Sequence, residues 1–104
     1  KSDRDVVLAA VTHNGRAVQY VDESLKRDRN VVLVAVAQCG MALEFAAGLK
    51  RDRDVVLAAV TQNGMALQFA DEYLQRDRDV VLAAVKQDGR ALEFAGSSLK
   101  RDPD

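Results

Sequence analysis

The chain has 104 residues with 15 basic and 16 acidic side chains, so its near-zero net charge gives no bias toward nucleic acid or an anionic membrane. Its longest apolar run is the seven residues from Val31 to Ala37, too short to cross a bilayer, and the opening K-S-D-R-D does not resemble a signal peptide. The single cysteine, Cys39, excludes an internal disulfide and fits a cytoplasmic location. With 48% hydrophobic residues, the composition predicts one small globular domain over residues 1–104.

One stretch of sequence, D-R-D-V-V-L-A-A-V-T-Q-N-G from Asp52 to Gly64, occurs four times with small changes. The aspartates that open successive copies are spaced 25, 24, 25 and 25 residues apart. A fixed period in this range predicts stacked structural repeats. We place the copies at about 3–27, 28–51, 52–76 and 77–101, with residues 102–104 beginning a fifth.

The first half of each copy predicts a long α-helix. In the third copy Asp52 is a suitable N-cap, and Asp54 adds negative charge to the first turn. The sequence Asp102-Pro103 supports this register, because proline is favoured directly after the cap. We expect Gly64 to adopt a left-handed conformation that ends the helix. The same role is expected of Gly15, Gly40 and Gly89.

The middle of this helix, Val55 to Val60 in the third copy, is apolar on every side. Six such residues could also form a buried strand. The capping signals, the two central alanines and the short period favour a helix instead. An apolar surface all around a helix predicts burial on all sides, between the partner helix and the neighbouring copies.

The second half of each copy predicts a short second helix, about Met65 to Asp71 in the third copy. Ala66, Leu67 and Ala70 fall on one face of it, with Phe69 at the edge of that face. A loop of variable length follows, as the one-residue deletion in the second copy indicates. A leucine recurs after this loop and is predicted to enter the core, at Leu25, Leu49, Leu74 and Leu99.

Only one or two residues around each glycine join the two helices, so each pair should form a compact helical corner. One such pair cannot bury its apolar face alone, whereas stacked pairs can. The predicted fold class is therefore all-α: a short α-solenoid of four 24–25-residue helix-turn-helix repeats. Each repeat has a long first helix, a short second helix and a loop with a buried leucine.

The motif D-R-D-V-V-L-A-A-V-x-Q-N-G-x-A-L-x-F-A, followed by a spaced Leu and a basic-acidic pair, resembles the family known as domain of unknown function 4116. The resemblance covers all four copies. It implies a tandem helical-repeat array of the kind found in large microbial proteins, with no known catalytic residues to assign. It also implies that the chain is a segment of a longer array, which the start at Lys1 and the stop inside a new copy independently indicate.

The charged blocks of the K-R-D-R-D type that open the copies have two interpretations. They could form a basic ridge that contacts the phosphates of a nucleic acid, one contact per copy. They could instead form a ladder of ion pairs, with Arg of one copy beside Asp of the next. We favour the ladder, because an acid alternates with every base and no aromatic residues are placed for stacking on bases. The recurring aromatic residues are predicted to pack at the core edge: Tyr20, Phe45, Phe69 and Phe94.

His13 and Cys39 are the most reactive side chains, but they do not make a convincing site. One His and one Cys cannot supply the four ligands of a structural zinc site. A Cys-His nucleophile pair would need a third orienting group, and none is evident. The Asp-x-Asp pairs recur in register, whereas a catalytic dyad needs one singular environment. The sequence therefore predicts no catalytic residue, no metal and no cofactor, with His13 at a helix end.

Positions that vary between copies are the candidates for contact with a partner, since recurrent positions tend to form the core of a stacked array. They are predicted to be Arg16, Met41, Met65 and Arg90 after the glycines and Tyr73 in a loop. The sequence predicts a non-enzymatic module for protein-protein interaction or structural spacing, with an unknown protein partner and no membrane. Three alternatives remain: nucleic-acid binding through the ridge, an enzymatic activity outside this segment, and self-association through exposed terminal copies.

Overall fold

A computed structural model describes residues 3–96, and every regular element in that range is helical. Each copy contains a ten-residue α-helix followed by a six-residue 3₁₀ helix, and two copies add a one-turn α-helix. The α-helices are α1 (Arg4–His13), α2 (Glu23–Lys26), α3 (Arg29–Gln38), α4 (Arg53–Gln62), α5 (Glu72–Gln75) and α6 (Arg78–Gln87). The 3₁₀ helices are η1 (Gly15–Tyr20), η2 (Gly40–Phe45), η3 (Gly64–Phe69) and η4 (Gly89–Phe94).

The long helices begin as the sequence predicts. In α4 the Asp52 side chain accepts hydrogen bonds from the amides of Asp54 and Val55, at 3.0 and 3.2 Å. These bonds satisfy two of the free amides in the first turn. The same capping is made by Asp3, Asp28 and Asp77. The pair Asp102-Pro103, which was used to predict where the helices begin, lies outside the described residues.

The prediction that the glycines end the long helices in a left-handed conformation is wrong. Helix α4 ends at Gln62, and the extended residue Asn63 (φ −151°, ψ 107°) makes the corner before η3 begins at Gly64. Among the described residues only Gly48, in the shortened loop of the second copy, has a positive φ. The glycines at the corners are instead required by close packing between copies, as shown below.

The second helix of each copy differs from the prediction in type and in length. In the third copy it is the 3₁₀ helix Gly64–Phe69, so Asp71 lies beyond it. Its buried face is the predicted one, since Ala66 and Leu67 are fully buried. The loops are also more ordered than predicted, because α2 and α5 each form one helical turn there. Leu25 and Leu74 are buried as predicted and Leu49 is half-buried, while Leu99 lies outside the described residues.

The helices stack in two rows. Each long helix contacts the long helix of the next copy, and each 3₁₀ helix contacts the next 3₁₀ helix. The long helix of one copy also packs on the 3₁₀ helix of the copy before it. The result is an elongated body of 49 × 21 × 16 Å with one continuous apolar core. This arrangement confirms the all-α repeat fold.

The long helices are not buried on every side, contrary to the prediction. In α4, Val55, Val56, Ala59 and Val60 are fully buried, but Leu57 and Ala58 are only partly so. The 3₁₀ row covers one side of the long helices and leaves the other open. A shallow groove between α3 and α4 lies on that open side, lined by Ala37, Leu57, Ala58, Thr61 and Gln62.

Three of the four recurring aromatic residues are half-buried at the core edge, as predicted. They are Phe45, Phe69 and Phe94, the last residues of their 3₁₀ helices. Tyr20 occupies the same position in the first copy but is 82% exposed, so the prediction that it packs on the core is wrong.

Candidate functional site

The interfaces between neighbouring copies, called junctions here, carry the most regular polar contacts of the molecule. At the third junction, Arg53 of α4 donates from Nε to Asp77 at 2.8 Å and also pairs with Asp79 at 3.2 Å. Arg29 pairs in the same way with Asp52 and Asp54 at the second junction. At the first junction Arg4 pairs with Asp28 alone, because Asn30 stands where the later copies have a second aspartate. The predicted ion-pair ladder is therefore present at all three junctions.

Each capping aspartate in the second to fourth copies joins two copies through its two carboxylate oxygens. Oδ1 of Asp77 accepts from the first-turn amides of Asp79 and Val80, while Oδ2 accepts from Arg53 of the preceding copy. The hydrogen bond from Arg53 is the main cause that holds the pKa of Asp77 below its usual range, and the backbone amides act in the same direction. The pKa values of Asp28 and Asp52 are lowered for the same reason, by Arg4 and Arg29.

We expect acid to weaken these junctions. A carboxylate whose folded pKa is depressed contributes stability above its unfolded pKa of about 3.9, and that contribution is lost as the pH falls through the folded pKa. The variant Asp77→Asn keeps an N-cap oxygen but cannot pair with Arg53 as an anion. Urea unfolding at neutral pH should show Asp77→Asn to be less stable than the natural chain. The difference should shrink as the pH falls through the folded pKa of Asp77, and a difference that does not change with pH would contradict the assignment.

The corner glycines allow the backbones of neighbouring copies to touch. A Cβ atom added to Gly64 would overlap the carbonyl oxygen of Ala84 in α6, and Gly15 and Gly40 face Ala35 and Ala59 in the same way. The glycine therefore sets the separation between its 3₁₀ helix and the next long helix. This requirement comes from packing rather than from backbone conformation.

A glutamine at the end of the long helix completes each of the last two junctions. Oε1 of Gln62 accepts from the amide of Gly40, and Oε1 of Gln87 accepts from the amide of Gly64, both at 2.5 Å. Sequence reasoning missed this link. The signal was the recurrence of Gln at Gln38, Gln62 and Gln87 in register with the glycine.

The predicted partner-contact residues do not form one cluster. Arg16, Met41, Met65 and Arg90 are the second residues of η1 to η4 and so recur along the 3₁₀ row. Both arginines are exposed, and Arg90 is held by Asp88 at 2.7 Å. Both methionines are half-buried, and Met41 packs against the core. Tyr73 lies apart on α5 and is 77% exposed.

His13 and Cys39 lie at the ends of long helices. His13 is the exposed last residue of α1, which agrees with its predicted place at a helix end. Cys39 follows α3 and is half-buried. In the other copies the residue at this corner accepts a hydrogen bond from the second amide of the 3₁₀ helix, through the side chains of Asn14, Asn63 and Asp88. Cys39 makes no such bond.

Replacing Cys39 with asparagine should therefore stabilise the second copy. Asparagine would supply the missing cap to the amide of Met41, for a gain of about 1 kcal/mol in the free energy of unfolding. Urea unfolding of Cys39→Asn measures the gain. Cys39→Ala is the matched control, since it removes the thiol without adding an acceptor. A gain that is equal in both variants would show that loss of the thiol, not capping, is responsible.

The interior of the described part of the chain is apolar. Between residues 3 and 96 no polar or charged residue is buried, and no three side chains of the His, Cys, Asp or Glu type could together hold a metal ion. None of the helices described is both long and apolar enough to cross a membrane.

Comparison with known families agrees with the repeat pattern. The family described as "Domain of unknown function (DUF4116)" matches residues 3–47 and again residues 52–100. This chain belongs to the DUF4116 family. Each DUF4116 match spans about two of the 24–25-residue copies, so this chain holds two family units in tandem. No curated protein and no solved structure matches the chain.

Proposed function

We propose that this DUF4116 chain is a non-enzymatic helical-repeat module that acts as a structural spacer within a larger array. It holds the segments attached to its two ends at a fixed separation and orientation. Protein-protein contact through the residues that vary between copies, Arg16, Met41, Met65, Arg90 and Tyr73, is the second part of the same proposal.

The observation that carries the spacer role is the repetition of the junction contacts. The ladder occurs at all three junctions, and the close approach of a corner glycine to the next long helix occurs at all three as well. The core also runs without a break through the copies between residues 3 and 96, which supports rigid junctions there. A body 49 Å long with such junctions keeps its ends apart.

The same contacts make nucleic-acid binding the weaker candidate. Three of the basic residues expected to form the ridge, Arg4, Arg29 and Arg53, each pair with an aspartate of the next copy. Binding a phosphate would require each arginine to exchange that partner. The near-balanced charge of the chain adds no general attraction.

The spacer role is tested by measuring the distance between two spin labels. Cysteines introduced at the exposed positions Ser24 and Glu93 carry the labels, in a chain with Cys39 replaced by asparagine. Diluting the labelled chain with unlabelled chain removes distances between molecules. We expect one narrow distribution of distances. A broad distribution would mean that the junctions bend, and the spacer role would fail.

A further inference from the structure

The three junctions share their apolar packing but differ in their polar links. At each junction a corner glycine lies against a carbonyl of the next long helix, and one core runs through the copies between residues 3 and 96. Among the described residues, three polar links that the second and third junctions make are missing from the first. All three losses involve residues of the second copy, which has a described copy on each side.

The ion-pair ladder is incomplete at the first junction. At the third junction Arg53 pairs with the capping Asp77 and also with Asp79, two residues later, and the second junction has the same two pairs. In the second copy Asn30 takes the place of Asp79. A neutral amide cannot form an ion pair, so Arg4 is left with the capping aspartate as its one partner across the junction.

The glutamine link is also missing at the first junction. At the second junction Oε1 of Gln62 accepts from the amide of Gly40, and the third junction repeats this bond. Gln38 stands at the same position in the second copy and is exposed. Within the described part of the chain its side chain makes no hydrogen bond with the amide of Gly15, although Gly15 is packed against the same long helix.

The third missing link joins the loops that follow the 3₁₀ helices. At the second junction the amide of Asp71 donates to the carbonyl of Lys50 at 2.9 Å, and the third junction has the equivalent bond at 2.8 Å. In the second copy this loop is one residue shorter. The equivalent amide, that of Ala47, donates instead to Phe45 of its own copy at 3.0 Å. The deletion therefore turns this loop back on itself and removes the bond to the first copy.

We propose that the first junction is the point at which this array opens, so that the first copy separates from the second while the second to fourth copies stay stacked. The stability of a stacked array is approximately the sum of the terms for each copy and for each interface between neighbours. With equal apolar packing, the interface that has the fewest polar links has the smallest term. Once separated, the first copy has no other described copy to pack against, so opening also unfolds it.

This proposal goes beyond the spacer role, because it assigns different strengths to junctions that the spacer role treats alike. The closed array is the rigid spacer, and the open form is a minor state in equilibrium with it. Such partial openings are ordinary in folded proteins and occur in contiguous units. Here the unit is one copy, and its boundary is set by the residues of the second copy.

The first test is hydrogen exchange of the complete chain, followed by mass spectrometry under conditions where exchange reports the opening equilibrium. We expect the amides of α1 to exchange at least about tenfold faster than those of α6, since each missing hydrogen bond changes that equilibrium by about two- to tenfold. Helix α6 is a fair comparison, because it also lies in a copy with one described neighbour. Equal exchange in α1 and α6 would overturn the proposal.

The second test restores one missing link. Asn30→Asp supplies the second aspartate and should slow exchange in α1 by about two- to fivefold, as expected of one exposed ion pair, without changing exchange in α6. In the background Arg4→Gln the same substitution should have no such effect, because its partner is gone. Both sites are exposed, so both variants should fold. No slowing, or equal slowing with and without Arg4, would overturn the proposal, since opening would then not depend on links across the junction.

The two proposals fail in different ways. A single narrow distribution of spin-label distances together with equal exchange in α1 and α6 would keep the spacer role and reject the weak first junction. A broad distribution together with faster exchange in α1 would reject the spacer role and keep the weak junction. The expected result is a narrow distribution with faster exchange in α1.

Discussion

Gly64→Ala is expected to lower the free energy of unfolding by about 2–4 kcal/mol. Its new Cβ atom would overlap the carbonyl oxygen of Ala84, a backbone atom of α6 that cannot rotate away. Either η3 or α6 must move, and the movement also strains the hydrogen bond from the Gly64 amide to Gln87. Urea unfolding followed by circular dichroism measures the loss.

The chain contains its own control for this prediction. Gly89 occupies the same position in the fourth copy, but no copy follows it among the described residues, and its added Cβ would meet open space. In dilute solution Gly89→Ala should therefore leave stability unchanged or raise it slightly, since alanine reduces the entropy of the unfolded chain. A similar loss in both variants would show that the glycine is required by backbone conformation after all, and the packing explanation would be wrong.

The difference between the two glycines explains which parts of the fold the sequence could predict. Helix starts were predictable because a cap is a local interaction: Asp52 bonds amides only two and three residues away. The ladder was predictable because the period places an arginine of one copy in register with an aspartate of the next. Both features follow from spacing along one chain.

The role of Gly64 was not predictable in the same way, because two different structural requirements both place a glycine at this position of the sequence. A glycine after the last turn of a helix serves equally as a left-handed stop and as a point of close approach. Only the position of Ala84 in space distinguishes them. The 3₁₀ form of η3 was missed for a related reason, since neighbouring residues such as Ala66 and Leu67 are turned by similar angles about the axis, about 100° or 120°, in either type of helix.

The candidate contact residues show a further limit of reasoning from variation between copies. Such variation predicted exposure, and Arg16, Arg90 and Tyr73 are exposed. It did not show that Met41, which also varies between copies, packs against the core. Nor did it predict the exposure of Val6 and Leu92, which match the pattern in every copy and differ in lacking a neighbouring copy among the described residues.

Leu67→Ala is the second variant with a large expected effect. It should lower the free energy of unfolding by about 2–5 kcal/mol. Leu67 lies in η3, is fully buried, and belongs to the continuous core. Its truncation removes apolar contacts and leaves a cavity between the two rows of helices. Because the neighbouring copies hold the rows apart on both sides, the cavity should collapse only partly, which places the loss in the upper part of this range.

The matched control is Leu92→Ala, at the same position of the fourth copy. Leu92 is 46% exposed, so its truncation should cost under about 1.5 kcal/mol in dilute solution. The comparison holds residue type, helix type and repeat position constant and changes only whether another copy follows among the described residues. It therefore measures how much of the core of one repeat is supplied by the next. If the two losses were equal, each copy would be stable by itself, and stacking would contribute little to the fold.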